Sequence, residues 1–170
     1  EGEFHEALNM AAIWKLPIIF YCENNLYGMG SRVSEVFAVK DIYRIAEPYG
    51  IPSKQVDGMD VLAVRDSMKE VLDHVREGSG PYFVEALAYR FRGHSVADPS
   101  EYRDKEEEAY WRSRDPIPNL RQHLVADFEV TEKELDKVDA KVEEVIEAAV
   151  QFADESPFPD ESALYEDIVA

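Results

Sequence analysis

The chain has one cysteine, Cys22, in 170 residues. No internal disulfide can form, and two-thiol redox chemistry within the chain is excluded. Positive charge is scarce: 18 Lys+Arg stand against 36 Asp+Glu, a net charge of −18. That balance excludes the basic footprint that nucleic-acid binding needs. It also argues against docking on anionic membranes. No run of eighteen apolar residues occurs, and no cationic segment precedes a short apolar one. A membrane span and a secretory leader are therefore not expected in this stretch, and a cytoplasmic protein is the default. Histidines number four, and three of them (His5, His74, His123) lie in helical patterns without partners at metal-ligand spacing. We read those three as surface residues.

What is present suits a globular α/β protein. Hydrophobic residues make up 45% and aromatics 11%, enough to build a core. At this length one domain is expected, over residues 1–170, with a helical carboxyl-terminal region at about 104–170. The acidic excess sits late. From Arg121 onward fifteen Asp+Glu face four Lys+Arg, which is −11 of the −18. The cations to watch lie earlier, at Arg90, Arg92 and Arg103.

The central stretch is Ile18–Gly30, IIFYCENNLYGMG. Ile18–Cys22 has the β-branched and aromatic content of a buried strand, where Cys22 would be an unreactive thiol. Asn24-Asn25 ends it, because Asn tolerates positive φ and bonds its own backbone in turns. Glu3–Leu16 before it has helical spacing, stopped by Pro17. The turn beyond a parallel strand's carboxyl end is where α/β proteins bind ligands. An Asn carbonyl there suits a hard cation such as Mg²⁺. Taken alone, Asn-Asn is more often only an ordinary turn.

Downstream, Ser31–Val39 reads as a loop and Lys40–Tyr49 as a helix. Ser53–Val56 is a short strand. Asp60 caps an amphipathic helix over Val61–Glu77. Tyr82–Tyr89 is a second strong strand with one charge, Glu85. A long charged loop, Arg90–Lys105, comes next; such loops tend to be functional. Short helices are expected over Lys105–Ser113 and Ile117–Ala126. Thr131-x-x-Glu134 is a capping-box pattern opening a long helix to about Ala153. In the tail, Leu164, Tyr165, Ile168 and Val169 are expected to pack on a neighbour. The architecture implied is a parallel sheet with flanking helices. Beyond the second strand, Arg90 and His94 are four apart across Gly93, an arrangement able to grip a diphosphate.

Two segments together carry a resemblance. EGEFHEALNMAAIWKLPIIFYCENNLYGMG resembles the thiamine-diphosphate motif of the alpha subunit of 2-oxoacid dehydrogenase decarboxylases, and YRFRGHSVADPSEYR resembles that family's cofactor-covering loop. The family motif opens with Gly-Asp-Gly. This chain starts at Glu1, just after that point, so the thiamine-diphosphate-binding fold is expected to be incomplete at its amino terminus. The aspartate that would complete the metal site is not in the chain.

The resemblance implies that Asn25 and the carbonyl of Tyr27 bind Mg²⁺, and that Arg90 contacts the cofactor's diphosphate. It places His94 over the cofactor, touching phosphate or assisting the reacting intermediate. Ser95 matches a regulatory phosphorylation site of some relatives. The implied activity is oxidative decarboxylation of a 2-oxoacid, pyruvate first, with acyl transfer to a lipoyl group on an acyltransferase component. A beta subunit is the implied partner, in an α2β2 assembly, in the cytoplasm or in a mitochondrion or plastid. Branched-chain 2-oxoacid and acetoin dehydrogenases are alternatives. So is a non-catalytic piece that only associates with a beta subunit or itself; the isolated chain is expected to be inactive.

Overall fold

A computed structural model of the chain describes residues 2–168. Helix α1 (Gly2–Ile13) leads into strand β1 (Ile19–Asn24). The helix stops three residues short of the sequence expectation. Pro17 disfavours helical backbone at Leu16, and Lys15 turns left-handed at φ +48°. The Leu16 and Lys15 N–H groups then donate back to the Ala11 and Ala12 carbonyls, closing the helix end.

A small antiparallel pair comes next, β2 (Tyr27–Gly28) with β3 (Ser31–Arg32), then one turn of helix, α2 (Val33–Val36). Ser31–Val39, expected as a loop, is therefore irregular only from Phe37 onward. The expected helix at Lys40–Tyr49 is a 3₁₀ helix, Ile42–Tyr49, with Pro48 inside it and left-handed Gly50 ending it. Then come β4 (Ser53–Asp57), α3 (Val61–Arg76) and β5 (Tyr82–Leu87). Asp60 caps α3 as expected, accepting from the N–H groups of Leu62 and Ala63.

The sheet order is β1-β5-β4, all parallel. Its central strand, β5, is buried from Tyr82 to Ala86. Tyr82, Val84 and Ala86 pack with Val56, Val71 and Val75, on the α3 side. Phe83 points the other way, to Leu8, Ala46 and Ile51 of α1 and the 3₁₀ segment. This period-two division gives each face its own core. Register fixes the carboxyl-end rim. Asn24, Leu87 and Asp57 stand opposite one another, so the three strands end level.

Three loops leave that edge, and a third cluster covers it: Tyr27, Met59, Tyr89 and Trp111. Trp111 comes from α4 (Lys105–Ser113), whose start is capped by the carboxylate of the preceding residue, Asp104. Tyr89 and Trp111 stack with centroids 5.4 Å apart at 5°.

The chain divides into two compact units, one through Leu120 and one from Arg121. Helix α5 (Pro116–Asp127) is followed by α6 (Glu132–Glu155). The capping box is complete: the Thr131 hydroxyl accepts from Glu134 N, and Glu134 accepts from Thr131 N. Arg121 pairs with Glu132, Asp136 and Asp139. Val138, Val142, Val145 and Phe152 on α6 are exposed, as are Leu164, Tyr165 and Ile168. Val169 lies outside the described residues.

Phe83 is 1% exposed and holds the α1 face of the sheet. Phe83→Ala is expected to cost about 3–5 kcal/mol of stability, read as a lowered midpoint in chemical denaturation.

Candidate functional site

The rim of the sheet begins with two nested asparagine turns. Asn24 Oδ1 accepts from Leu26 N, and Asn25 Oδ1 accepts from Tyr27 N, each at 3.0 Å. Between them Leu26 sits at φ +70°, left-handed backbone that a leucine adopts only when held there. Asn24 is buried, and its Nδ2 donates to Glu85 Oε1 at 2.7 Å. Asn25 is half-buried.

Tyr27 is locked by its side chain. Its hydroxyl donates to Glu107 Oε2 at 2.6 Å, and Arg32 pairs with the same carboxylate at 3.2 Å. Burial first, and then the Glu107 contact, push the phenol's pKa well up. Tyr102 and Tyr89 flank the ring, with centroids 5.7 and 6.3 Å away.

The second loop, between β5 and α4, folds onto the first through Arg90. Its Nη2 donates to the Met29 carbonyl at 3.0 Å and to the Tyr102 hydroxyl at 3.1 Å. Its Nη1 lies 3.5 Å from His94 Nδ1. The loop's own hub is Asp98. It accepts from Tyr102 Oη and His94 N, both at 2.6 Å, and from Ser100 N at 2.9 Å. The Tyr102 hydroxyl, then those two N–H groups, hold the Asp98 carboxyl at a pKa of about 2. Gly93 lies so close that a Cβ there would stand 2.6 Å from the Asp98 carbonyl oxygen, so no larger residue fits without moving the loop.

Arg103 fastens the loop from beneath. It is 6% exposed and donates through Nη1 to the carbonyls of Arg90 and Arg92, at 2.6 and 3.1 Å. Its guanidinium lies 5.0–5.6 Å from the ring centroids of Tyr27, Tyr89 and Tyr102. Such contacts stabilise a buried cation by the ring quadrupoles.

The structure thus brings Arg90 and His94 together and joins them to the segment that holds Asn25 and Tyr27. Asn25 Oδ1 keeps one lone pair after its turn bond. Ser95 is exposed and lines an open cleft of about 730 Å³ with Arg92, His94, Asp98 and Arg112. Arg103, one of the cations singled out in the sequence, is spent inside the protein and does not face a ligand. His74 is not a surface residue: its ring meets Tyr82 edge-on at 5.3 Å, and Nε2 is buried. His5 and His123 are accessible, bonded to Tyr49 and Asp127. Cys22 is half-buried, and burial, then Glu85 and Glu23, raise its thiol pKa, as an inert thiol requires.

Sequence reasoning missed Asn24, Asp98, Glu107 and the destination of Glu85. The last carried a signal, being the one charge in an apolar strand. Among the described residues no cluster of three or more His, Cys, Asp or Glu could hold a metal.

Asp98 is charged in the folded loop, so its contribution is full above its ordinary pKa near 3.8 and falls away as pH drops towards about 2. Asp98→Ala at neutral pH should release the loop as strong acid would. Limited proteolysis should then cut within residues 91–103 several-fold faster than in the parent.

The chain matches the family model "Dehydrogenase E1 component" over residues 1–162. It is 45% identical over 167 residues to "Pyruvate dehydrogenase E1 component subunit alpha-3, chloroplastic" of Oryza sativa subsp. japonica, covering 98% of this chain and 39% of the relative. The "Pyruvate dehydrogenase E1 component subunit alpha" of Rickettsia typhi is 42% identical, covering 99% of this chain and 52% of the relative. The Rhizobium meliloti protein of the same name is 44% identical, covering 99% and 49%. The chain spans about half the length of such relatives or less. With the family pattern running through almost all of it, and the two rim loops folded as one site, this chain belongs to the dehydrogenase E1 component family.

Proposed function

We propose that this chain carries the metal-binding turn and the cofactor-covering loop of a thiamine-diphosphate-dependent decarboxylase alpha subunit acting on pyruvate. The observation that carries the reading is Arg90, which ties His94 to the Met29 carbonyl at the level ends of three parallel strands. The names of the similar proteins favour pyruvate over branched-chain or acetoin substrates. The acyl product passes to a lipoyl group of an acyltransferase component, and a beta subunit completes an α2β2 enzyme.

The residues present fit Mg²⁺ and a diphosphate. Asn25 Oδ1 and the Tyr27 carbonyl are neutral, hard oxygens. They suit an ion that also takes phosphate oxygens and water. Arg90 and His94 provide charge-assisted donors for the phosphates. When bound, thiamine diphosphate supplies the electron sink for loss of carbon dioxide.

The chain's own residues position and screen. Asn25 and Tyr27 would hold the metal at the sheet edge, Tyr27 being fixed by Glu107. Arg90, which joins the two loops, would also hold the diphosphate. His94, whose backbone is anchored on Asp98, presents a ring able to donate a hydrogen bond or hold a proton. Two neutral oxygens alone make a weak metal site, so the isolated chain binds the cofactor poorly and does not turn over.

In the full-length subunit assembled with its beta partner, Asn25→Ala should raise the Mg²⁺ requirement for thiamine diphosphate binding at least about tenfold, a typical size for altering a metal site. Titration with unchanged half-saturation would refute the metal assignment. Ser95 stands beside His94 on the exposed face of the loop. A phosphate there adds roughly −1.5 to −2 charges beside a bound diphosphate and repels it. Ser95→Asp should abolish most activity; full activity in a steady-state assay would refute the regulatory role.

A further inference from the structure

Glu85 is the most deeply buried charged residue described, at 0% exposure in the middle of the central strand. It forms no ion pair among the described residues; its two oxygens take only neutral donors. Oε1 accepts from Asn24 Nδ2 at 2.7 Å, and Oε2 accepts from Tyr43 N at 3.0 Å. Tyr43 lies in the first turn of the 3₁₀ helix, whose own leading residue, Asp41, makes no side-chain cap. Glu85 therefore caps that helix from the sheet with one oxygen and grips the asparagine turn with the other.

A buried charge without a cation is poor for stability, and an apolar residue of the same size would serve the core better. What the carboxylate provides is direction. Asn24 is held by Glu85 at one end of its amide and holds Leu26 N with the other. Leu26 at φ +70° swings the chain so that Asn25 and Tyr27 enter their own turn. Gln in place of Glu85 could not repeat this. Its amide has one acceptor, and its NH₂ would face either the Asn24 NH₂ or the Tyr43 N–H.

We propose that Glu85 is a positioning residue for the metal: through Asn24 it sets the left-handed step at Leu26 and so the aim of Asn25 Oδ1 and the Tyr27 carbonyl. The inference rests on the reading of the rim as a Mg²⁺ and diphosphate site. It assigns the aim of the oxygens to a side chain that touches neither metal nor cofactor.

The test uses the full-length subunit assembled with its beta partner, titrated with Mg²⁺ at fixed thiamine diphosphate and followed by a cofactor-binding fluorescence change. Glu85→Gln should raise the half-saturating Mg²⁺ by about 10–100-fold, the range for residues that orient metal ligands. Asn24→Ala should do the same, and the double variant should be no worse than either single one. Val71→Ala, a core change on the opposite face, should lower the melting temperature but leave Mg²⁺ half-saturation within about twofold of the parent, since sites without shared partners act independently.

If the parent enzyme shows no Mg²⁺-dependent binding, the reading of the rim fails and takes the inference with it. If the parent binds and Glu85→Gln matches it within about twofold, or Val71→Ala shifts the titration as far as Glu85→Gln does, the inference alone is overturned. Should Glu85→Gln not assemble, Asn24→Ala decides by the same titration. Failure of both to assemble assigns Glu85 to folding and overturns the positioning role.

Discussion

One constraint shapes the rim of the sheet: a carboxylate taken out of water must find donors for both its oxygens. Glu85 obeys it by joining three pieces of chain that share no local sequence, namely β5, the end of β1 and the start of the 3₁₀ helix. Because each oxygen takes one donor, both neighbours are fixed in place and direction. The rim of the sheet inherits that geometry. Level strand ends supply the platform, and the buried carboxylate decides how the first loop leaves it.

The second loop is held by the opposite charge, with Arg103 Nη1 hydrogen-bonded and its buried Nε and Nη2 left without hydrogen-bond partners among the described residues. Arg103 lies beneath it among three tyrosines and takes two of the loop's own carbonyls. Asp98 collects the loop's free N–H groups and the Tyr102 hydroxyl. Arg90 is the join between the two loops, since it bonds to Met29 and Tyr102 and lies against His94. Cation and anion are both spent on backbone order. Among the groups left facing outward are Arg92, His94, Ser95, Val96 and part of Arg90.

Much of the fold was legible because its signals were local. The caps at Asp60 and Thr131, the extent of α4, and the apolar strands all depend on neighbours in sequence. Parallel pairing could be read from strands separated by helices. Legibility failed where distant contacts decide. Lys40–Tyr49 has helical spacing, yet its tight 3₁₀ form starts against the sheet, with Glu85 capping its first turn. Tyr102-Arg103 could be read locally as a pair that orders the loop by stacking, but nothing local announces Tyr27 and Tyr89, from other segments, closing over the same guanidinium. His74 looked like a surface residue because its partner, Tyr82, lies on the next strand. At the site, Asn25, Tyr27, Arg90 and His94 were singled out through residue chemistry and resemblance together. Asn24, equally visible in sequence, passed as a plain turn residue, since its bond to Glu85 spans 61 positions.

That span bears on how the chain acquires its shape. The clasp between Asn24 and Glu85 and the cap on Tyr43 close loops of 61 and 42 residues, so both must wait until the central strand has inserted. Closing such loops is entropically slow, whereas α3 and α6 can form from neighbours alone. The left-handed kink at Leu26 thus has its clasp only once the central strand is in place, so the ligand-facing edge depends on the interior behind it.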